Sequence, residues 1–259
     1  MENSMKKNVL LIITVLFVGL GVVGGTYAWF SNNIETTNEI YNVATSCFLI
    51  DYNINNTDNS QDITGTMFPS GTVSGGLSGR VGLRTNANCN LDGVGTLKLH
   101  VNGNNATSGT LTTSASSYCE DRSTLQPIPG ISTQAACTSA SGRWQGYGDS
   151  YCESNITLER LTNYNSSNCA SNNGTWKSGG SPLKYAVYDN ASATGTPLSK
   201  GYITSGNIGG DVTILNNISI TSTQQYYYIF IWLDGYLTDS TYSNLPFSGY
   251  ISAEAEQAH

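Results

Sequence analysis

Charged residues are scarce in this chain, and so are the side chains that carry most enzyme chemistry. Only 11% of the 259 residues are charged, less than half of the ~25% usual for soluble domains, and two residues are histidines. The sequence contains no His-Glu-x-x-His, no Gly-x-Ser-x-Gly, no P-loop and no dinucleotide-binding fingerprint. We therefore predict that the protein is not an enzyme and needs no cofactor.

Basic clusters are also missing. The chain has 11 Lys and Arg against 18 Asp and Glu, for a formal net charge of -7, and its basic residues are scattered. This excludes the basic surface that a nucleic-acid partner requires. Neutral Asn, Ser, Thr, Gly and Tyr side chains take the surface role instead, as is typical of cell-surface and matrix proteins.

The one long apolar run lies at the start of the chain. Lys6 and Lys7 precede a run from Val9 to Val23, and small residues follow it up to Ala28. A basic region, a short apolar core and a small residue at the end describe an export signal. We predict cleavage by a signal peptidase between Ala28 and Trp29, and a secreted, extracellular or cell-surface protein.

A retained membrane anchor is the alternative interpretation of this segment. The weakly polar run from Val9 to Phe30 is long enough to span a bilayer. Against retention, Gly24 and Gly25 crowd the end of the run, and Ala28 suits a peptidase pocket. We favour cleavage.

Six cysteines follow the export signal, at Cys47, Cys89, Cys119, Cys137, Cys152 and Cys169. An even set in an oxidising compartment predicts disulfides, although the sequence alone does not choose among the many pairings. There is no Cys-x-x-Cys, and neither His100 nor His259 lies at zinc-finger spacing, so no metal site is predicted.

Four of these cysteines belong to an internal duplication. The first module runs from Ser117 through Cys137 to Trp144, and the second from Ser150 through Cys169 to Trp176. The economical interpretation closes each module with its own bridge, Cys119 to Cys137 and Cys152 to Cys169, with the tryptophan packed over the sulfurs. The functional alternative is that Trp144, Tyr147 and Trp176 form a surface that stacks on a sugar or docks a partner.

The rest of the chain has the pattern of strands. Alternating apolar residues from Leu97 to Val101 predict a half-buried strand that exposes His100. From Tyr226 to Leu233 both faces are apolar, which predicts a central strand covered by the opposing sheet and by an insertion, a loop or a neighbouring chain. Shorter strands are predicted at 46–52, 63–68, 77–85, 184–188, 211–215, 218–221 and 249–255. No helix is predicted after residue 30, and the fold class is an all-β, two-sheet sandwich.

One acidic loop comes close to a calcium-binding pattern. Asp51, Asn53, Asn55 and Asp62 occupy four of its ligand positions, but Asn56 replaces the turn glycine and Asp replaces the terminal Glu. We interpret the segment as a polar hairpin.

Three blocks carry a family resemblance. The stretch Gly24 to Phe30 resembles the signal and mature start of the TasA and camelysin family, which is secreted by Gram-positive bacteria and processed by a SipW-type signal peptidase. Met67 to Gly71 is similar to that family's proline-glycine turn, and Phe247 to Gln257 resembles its closing strand. The resemblance covers residues 1–101 and 184–257 and implies a jelly-roll-like sandwich.

The resemblance also implies a mode of assembly. In fibre-forming members the N-terminal segment of one subunit completes a sheet of the next. Trp29, Phe30 and Ile34 would then be the anchors of the donated strand, while Asn32 and Asn33 would face solvent. The alternative is that this stretch forms the first strand of its own fold.

These observations predict an organisation and a function. Residues 1–28 form the signal peptide, residues 29–113 and 181–259 the sandwich, and residues 114–180 an insertion that departs from the family pattern. We expect a secreted structural protein of the bacterial surface or biofilm matrix, whose partners are copies of itself or related surface subunits. The alternative is a glycan-binding adhesin anchored by an uncleaved N-terminal helix.

Overall fold

The computed structural model describes residues 47–89, 91–103, 108–177 and 180–257, and these build an all-β protein. The predicted signal peptide lies outside this part of the chain. In chain order the strands are β1 (Phe48–Ile54), β2 (Thr57–Asp58), β3 (Asp62–Met67), β4 (Pro69–Ser70), β5 (Leu77–Thr85), β6 (Gly93–Val101), β7 (Tyr118–Glu120), β8 (Arg143–Gln145), β9 (Tyr151–Ser154), β10 (Arg160–Leu161), β11 (Gly174–Lys177), β12 (Leu183–Tyr188), β13 (Ser199–Tyr202), β14 (Gly210–Ile220), β15 (Gln225–Asp234) and β16 (Leu245–Gln257).

Two large sheets form the body of the molecule. The first has seven strands in the order β13-β12-β15-β5-β1-β2, with β4 parallel to the end of β15. The second has four strands in the order β14-β6-β16-β3. Strands β7 and β8 pair separately, as do β10, β9 and β11, so both modules build small sheets of their own.

The core lies between the two large sheets. Ile229 and Ile231 from β15 and Leu97 and Leu99 from β6 are all fully buried in one cluster. The apolar side chains of β6 alternate with partly exposed ones, as their spacing predicted. The all-β sandwich class is therefore confirmed.

Strand β15 is central, as its two apolar faces predicted. It pairs with β12 on one side and with β5 on the other. Its outer face carries Phe230 and Trp232, which pack in a second cluster with Val73 and with Leu158 of the second module. A loop and the insertion thus supply the cover that this face requires.

Strand β14 differs from its prediction. One strand, Gly210–Ile220, replaces the two predicted at 211–215 and 218–221, because register shifts let it continue past the break. The extra residues are accommodated around Asn217, which has a positive φ of 54°.

Two short helices were missed. They are α1 (Ser108–Thr112) and α2 (Gln134–Ser139). The Thr133 side chain caps α2 by accepting a hydrogen bond from the Ala136 N–H. Helices of five and six residues are too short to show an apolar period, which explains the error. Within the described ranges no helix is both long and apolar enough to cross a bilayer.

The loop that resembles a calcium site is a tight hairpin. Strands β1 and β2 are joined by Asn55 and Asn56, whose φ values of 51° and 59° suit a hairpin turn with two left-handed residues. The Asn53 side-chain amide donates to the Asp58 carboxylate, and the Asn55 amide donates to the Thr64 carbonyl. The prediction of a polar hairpin is confirmed.

Candidate functional site

Three disulfides tie the chain together. Cys119–Cys137 and Cys152–Cys169 close the two modules, as the duplication predicted, with Cα–Cα distances of 5.4 and 5.6 Å. The third bridge, Cys47–Cys89, joins the start of β1 to the segment after β5. No free cysteine occurs in the part of the chain that the structure describes. Bridges of this kind are typical of extracellular proteins.

The two modules share the turn that follows their first cysteine. Asp121 in the first and Ser154 in the second accept hydrogen bonds from backbone N–H groups two and three residues later. Four residues on, Leu125 and Leu158 both adopt a positive φ, of 56° and 61°. The duplication in the sequence is therefore also a duplication of backbone conformation in this turn.

A glycine, two residues before each tryptophan, lies against the disulfide. A Cβ on Gly142 would fall 2.4 Å from Cys119 Sγ, and one on Gly174 would fall 2.5 Å from Cys152 Sγ. Each tryptophan stands opposite the first cysteine of its module, on the paired strand, and directly opposed side chains lie on the same face of a sheet. The glycine therefore comes close to the sulfurs, and the packing of the tryptophan over them stays a prediction.

The aromatic residues predicted to bind a partner occupy three different settings. The Trp144 indole N–H donates to Asp149 at 2.7 Å. Tyr147 packs partly buried against the core, 6.4 Å from the Tyr118 ring. Trp176 is half-buried on β11.

A cleft between the second module and the segment after β15 has partly exposed tyrosines in its walls. It has a volume of about 370 Å³ and is lined by residues 150–152, 160–164 and 236. Tyr164 and Tyr236 are each 38% exposed, and the Arg160 guanidinium lies 6.0 Å from the Tyr236 ring centroid. Aromatic faces flanked by Thr162 and Asn163 are the groups that sugar rings require.

Strand β1 presents a partly open edge. It pairs with β5 along its whole length, but with β2 only at Asn53 and Ile54. The Tyr52 carbonyl accepts from the Asn59 N–H on the side away from β5, so the backbone groups of Ile50 point to that side too. Within the described residues no strand pairs there with 49–51. Ile50 packs against the core but remains partly exposed.

The second module is fixed to the first sheet by a buried charge cluster. Lys184 of β12 points outward from the core, and its side chain is 1% exposed. Its Nζ lies 2.6 Å from Glu153 Oε2 and 2.5 Å from Asp234 Oδ2, and both carboxylates are 4% exposed. It also donates to the Leu158 carbonyl at 3.3 Å.

Two tyrosines complete this cluster. The Tyr202 hydroxyl donates to Glu153 Oε1 at 2.7 Å, and the Tyr151 hydroxyl donates to Glu153 Oε2 at 3.1 Å. Burial, and then the negative charge of Glu153, raises the pKa of both tyrosines far above its ordinary value. Both hydroxyls therefore remain protonated donors.

The corresponding glutamate of the first module has local partners only. Glu120 is buried and accepts from the Arg143 guanidinium and from the Gln145 amide at 3.1 Å, all within its own hairpin. Leu125 is 59% exposed, whereas Leu158 is 4% exposed. Only the second module is therefore held to the first sheet by its glutamate and its leucine.

Sequence reasoning missed the buried cluster. Lys184 lies in the run Leu-Lys-Tyr-Ala-Val-Tyr, all of which is buried in the structure. A lone lysine in a strand resembles a solvent-facing residue, although the otherwise apolar strand was a signal of two-sided burial. Glu153 and Asp234 lie on separate elements, and no spacing in the sequence indicates that they contact Lys184.

The remaining predictions about the site fall into two groups. Ala28, Trp29, Phe30 and Ile34 lie outside the described residues. Among the described residues, no three histidine, cysteine or acidic side chains are grouped to hold a metal ion.

Comparisons with protein-family models, with curated proteins and with solved structures gave no match.

Proposed function

We propose that this protein is a secreted, non-enzymatic structural protein of the bacterial surface or biofilm matrix that assembles into fibres by strand addition. The observation that carries the proposal is the open edge of β1, beside a partly exposed Ile50 of the core. Unpaired backbone groups at such an edge accept an extended segment from another chain. The export signal and the three disulfides support the extracellular setting.

The edge strand β14 is less suited to accept a strand. Strand β14 also lies at the border of its sheet, but its register shifts twice against β6, at Thr213/Leu215 and at Leu215/Ile218. Bulges of this kind twist an edge away from regular pairing. We therefore assign the donated segment to β1 in preference to β14, and its donor is the stretch 29–36 of a second copy.

Electron microscopy of the mature protein tests this assignment. Protein that begins at Trp29 should form filaments, and deletion of residues 29–36 should abolish them. The double variant Trp29→Asp/Phe30→Asp should also abolish them, because charged anchors oppose burial at the edge. The control Asn32→Asp/Asn33→Asp adds the same charge at solvent-facing positions and should leave filaments intact. Filaments that persist without residues 29–36 would overturn the proposal.

A second candidate function is glycan binding at the cleft of the second module. Two half-exposed tyrosines, one of them beside Arg160, favour it. Tyr236→Ala should then reduce binding in a glycan array by about tenfold, as expected for the loss of one stacking contact. Tyr226→Ala is the matched control, because Tyr226 is 39% exposed and stacks with Arg80 at 4.7 Å outside the cleft. Equal effects of both substitutions, or binding lost only with Trp144→Ala or Trp176→Ala, would reject the cleft.

A further inference from the structure

The buried cluster around Lys184 contains the groups of an amide-forming reaction. We propose that Lys184 Nζ and Asp234 Cγ become joined by an intramolecular isopeptide bond, with Glu153 as the group that transfers the protons. Nζ lies 2.5 Å from Asp234 Oδ2, in a site where both side chains are at most 4% exposed. The bond would link β12 covalently to the end of β15.

The contact between lysine and aspartate differs from an ordinary ion pair. Despite the short distance, the approach of Nζ lies outside hydrogen-bond geometry, and Asp234 Oδ2 is a buried oxygen with no hydrogen-bond donor. The other oxygen, Oδ1, accepts from the Tyr236 backbone N–H at 2.8 Å. One oxygen is thus held by a donor that can stabilise developing negative charge, while the other is left to depart.

The second carboxylate is placed to move protons. Glu153 Oε2 accepts from Lys184 Nζ at 2.6 Å, and the hydroxyls of Tyr151 and Tyr202 hold its orientation. The carboxyl groups of Glu153 and Asp234 both contact the single Nζ of Lys184. The amide removes the Lys184–Asp234 ion pair from the buried site, and the Tyr151 and Tyr202 hydroxyls still donate to the Glu153 carboxylate that is left.

The reaction is balanced with no outside reagent. Glu153 takes a proton from the Lys184 ammonium, and the neutral amine attacks Asp234 Cγ. A C–N bond forms and the Cγ–Oδ2 bond breaks. Two of the three ammonium protons leave with Oδ2 as water, one stays on the amide nitrogen, and Glu153 ends as it began. Fixed proximity replaces a bimolecular encounter and supplies an effective concentration on the order of 10⁵ M or more.

The ion pair of Lys98 and Glu254 shows which features the proposed reaction requires. Lys98 Nζ also lies 2.5 Å from a carboxylate oxygen, Glu254 Oε1, but as a regular hydrogen bond between side chains that are 26% and 42% exposed. Solvent reaches both side chains of that pair, and Lys98 Nζ contacts one carboxylate where Lys184 Nζ contacts two. Lys98 and Glu254 should therefore remain unlinked, and they provide an internal control.

Intact mass of the purified mature protein tests the proposal directly. Three disulfides account for the loss of six hydrogens, and the isopeptide bond removes one further water molecule. Trypsin should then fail to cleave after Lys184 and should release a branched species in which residues 178–200 are joined to residues 201–259. Fragmentation should place the link between Lys184 and Asp234.

Three variants test the roles of Lys184, Glu153 and Asp234 in forming the bond. Lys184→Arg keeps the charge and should abolish the water loss completely. Glu153→Gln keeps the shape and should leave most molecules unlinked. Asp234→Asn should still form the bond but lose ammonia in place of water, a signature that a merely structural role would not produce.

Several results would overturn the inference. One is folded wild-type protein, with its three disulfides, whose mass shows only the loss of hydrogens and whose Lys184 is cut by trypsin. Another is a water loss that fragmentation places elsewhere, including at Lys98. These measurements are independent of filament formation, so the bond and the proposed assembly are tested separately.

Discussion

Leu125 and Leu158 occupy the same position of the repeat but differ in burial between the two modules. Both have the same backbone conformation, but only Leu158 is buried, in the cluster with Val73 and Trp232. Leu158→Ala should lower the free energy of unfolding by about 2–4 kcal/mol, because it leaves a cavity beneath the outer face of β15. Denaturant unfolding measures the change.

The matched variant is Leu125→Ala. Because Leu125 is largely exposed, this substitution should change the free energy of unfolding by less than about 0.5 kcal/mol. Any strain from the positive φ is common to both positions and cancels in the comparison. Equal losses for the two variants would contradict the docking of the second module through Leu158.

Gly174 offers a second test at the scale of single residues. A Cβ there would lie 2.5 and 2.9 Å from the two sulfurs and 3.0 Å from the Glu153 carbonyl, so space is lacking. Gly174→Ala should cost about 1–3 kcal/mol of stability in denaturant unfolding, as overpacking does. The control Gly206→Ala has its nearest neighbour at 3.8 Å and should be tolerated. A stable Gly174→Ala protein would show that the disulfide can shift.

At the scale of elements, the two modules differ in how they are held. Each is closed by a disulfide across 18 or 17 residues, a loop worth about 3 kcal/mol in chain entropy. The second module is also fixed by Lys184 and by the Lys200 ammonium, which donates to the Asn155 carbonyl at 3.0 Å. We expect the second module to keep its structure better when its bridge is removed.

Limited proteolysis with trypsin measures this difference. The variant Cys119→Ser/Cys137→Ser should be cut rapidly at Arg122 and Arg143 of the first module. The counterpart Cys152→Ser/Cys169→Ser should be cut more slowly at Arg160, because side chains from the first sheet still hold that hairpin. Faster cleavage in the second case would show that the bridge, not the docking, orders the second module.

Elements differ in how far the sequence determines them. Strand β15 could be predicted with its central position, because apolar residues on both faces leave no other place for it. Its neighbours could not, since pairing β15 with β5 and β12 joins segments that no local pattern relates. Strand β14 was divided in two because Asn216 and Asn217 have the composition of a turn, whereas the sheet continues through them as a bulge.

At the scale of the whole molecule, buried tyrosines set the response to alkaline pH. Burial is the largest cause of a raised pKa at nine tyrosines, and a raised pKa means that the folded state keeps the phenol neutral. They are Tyr52, Tyr118, Tyr147, Tyr151, Tyr185, Tyr188, Tyr202, Tyr227 and Tyr242.

The sign of the effect follows from linkage. Below the ordinary tyrosine pKa of 10.0 both states are protonated and this contribution to stability is complete. Above it the unfolded chain releases protons that the folded state retains, so the free energy of unfolding falls as pH rises. Urea unfolding at a series of pH values should show a steep decline above pH 10.0. Phenolate absorbance that reaches its full value while the fold is intact would contradict the burial.

The global organisation was predictable only in outline. Strand periodicity predicted a two-sheet sandwich, and the duplication predicted two of the bridges. The attachment of the second module was not predictable, because Glu120 and Glu153 occupy the same repeat position and only Glu153 meets a buried lysine. That difference is created by tertiary contacts with β12.

The bridge Cys47–Cys89 determines how the molecule responds when it is pulled by its N-terminal segment. Tension that arrives at residue 47 passes through the sulfur–sulfur bond to residue 89 and enters the second sheet at β6, so everything between the two cysteines is bypassed. Strand β1, the proposed acceptor, lies inside this closed loop. A pull on a subunit's own N-terminal segment therefore cannot unravel the edge that holds its neighbour's strand while the bridge is intact.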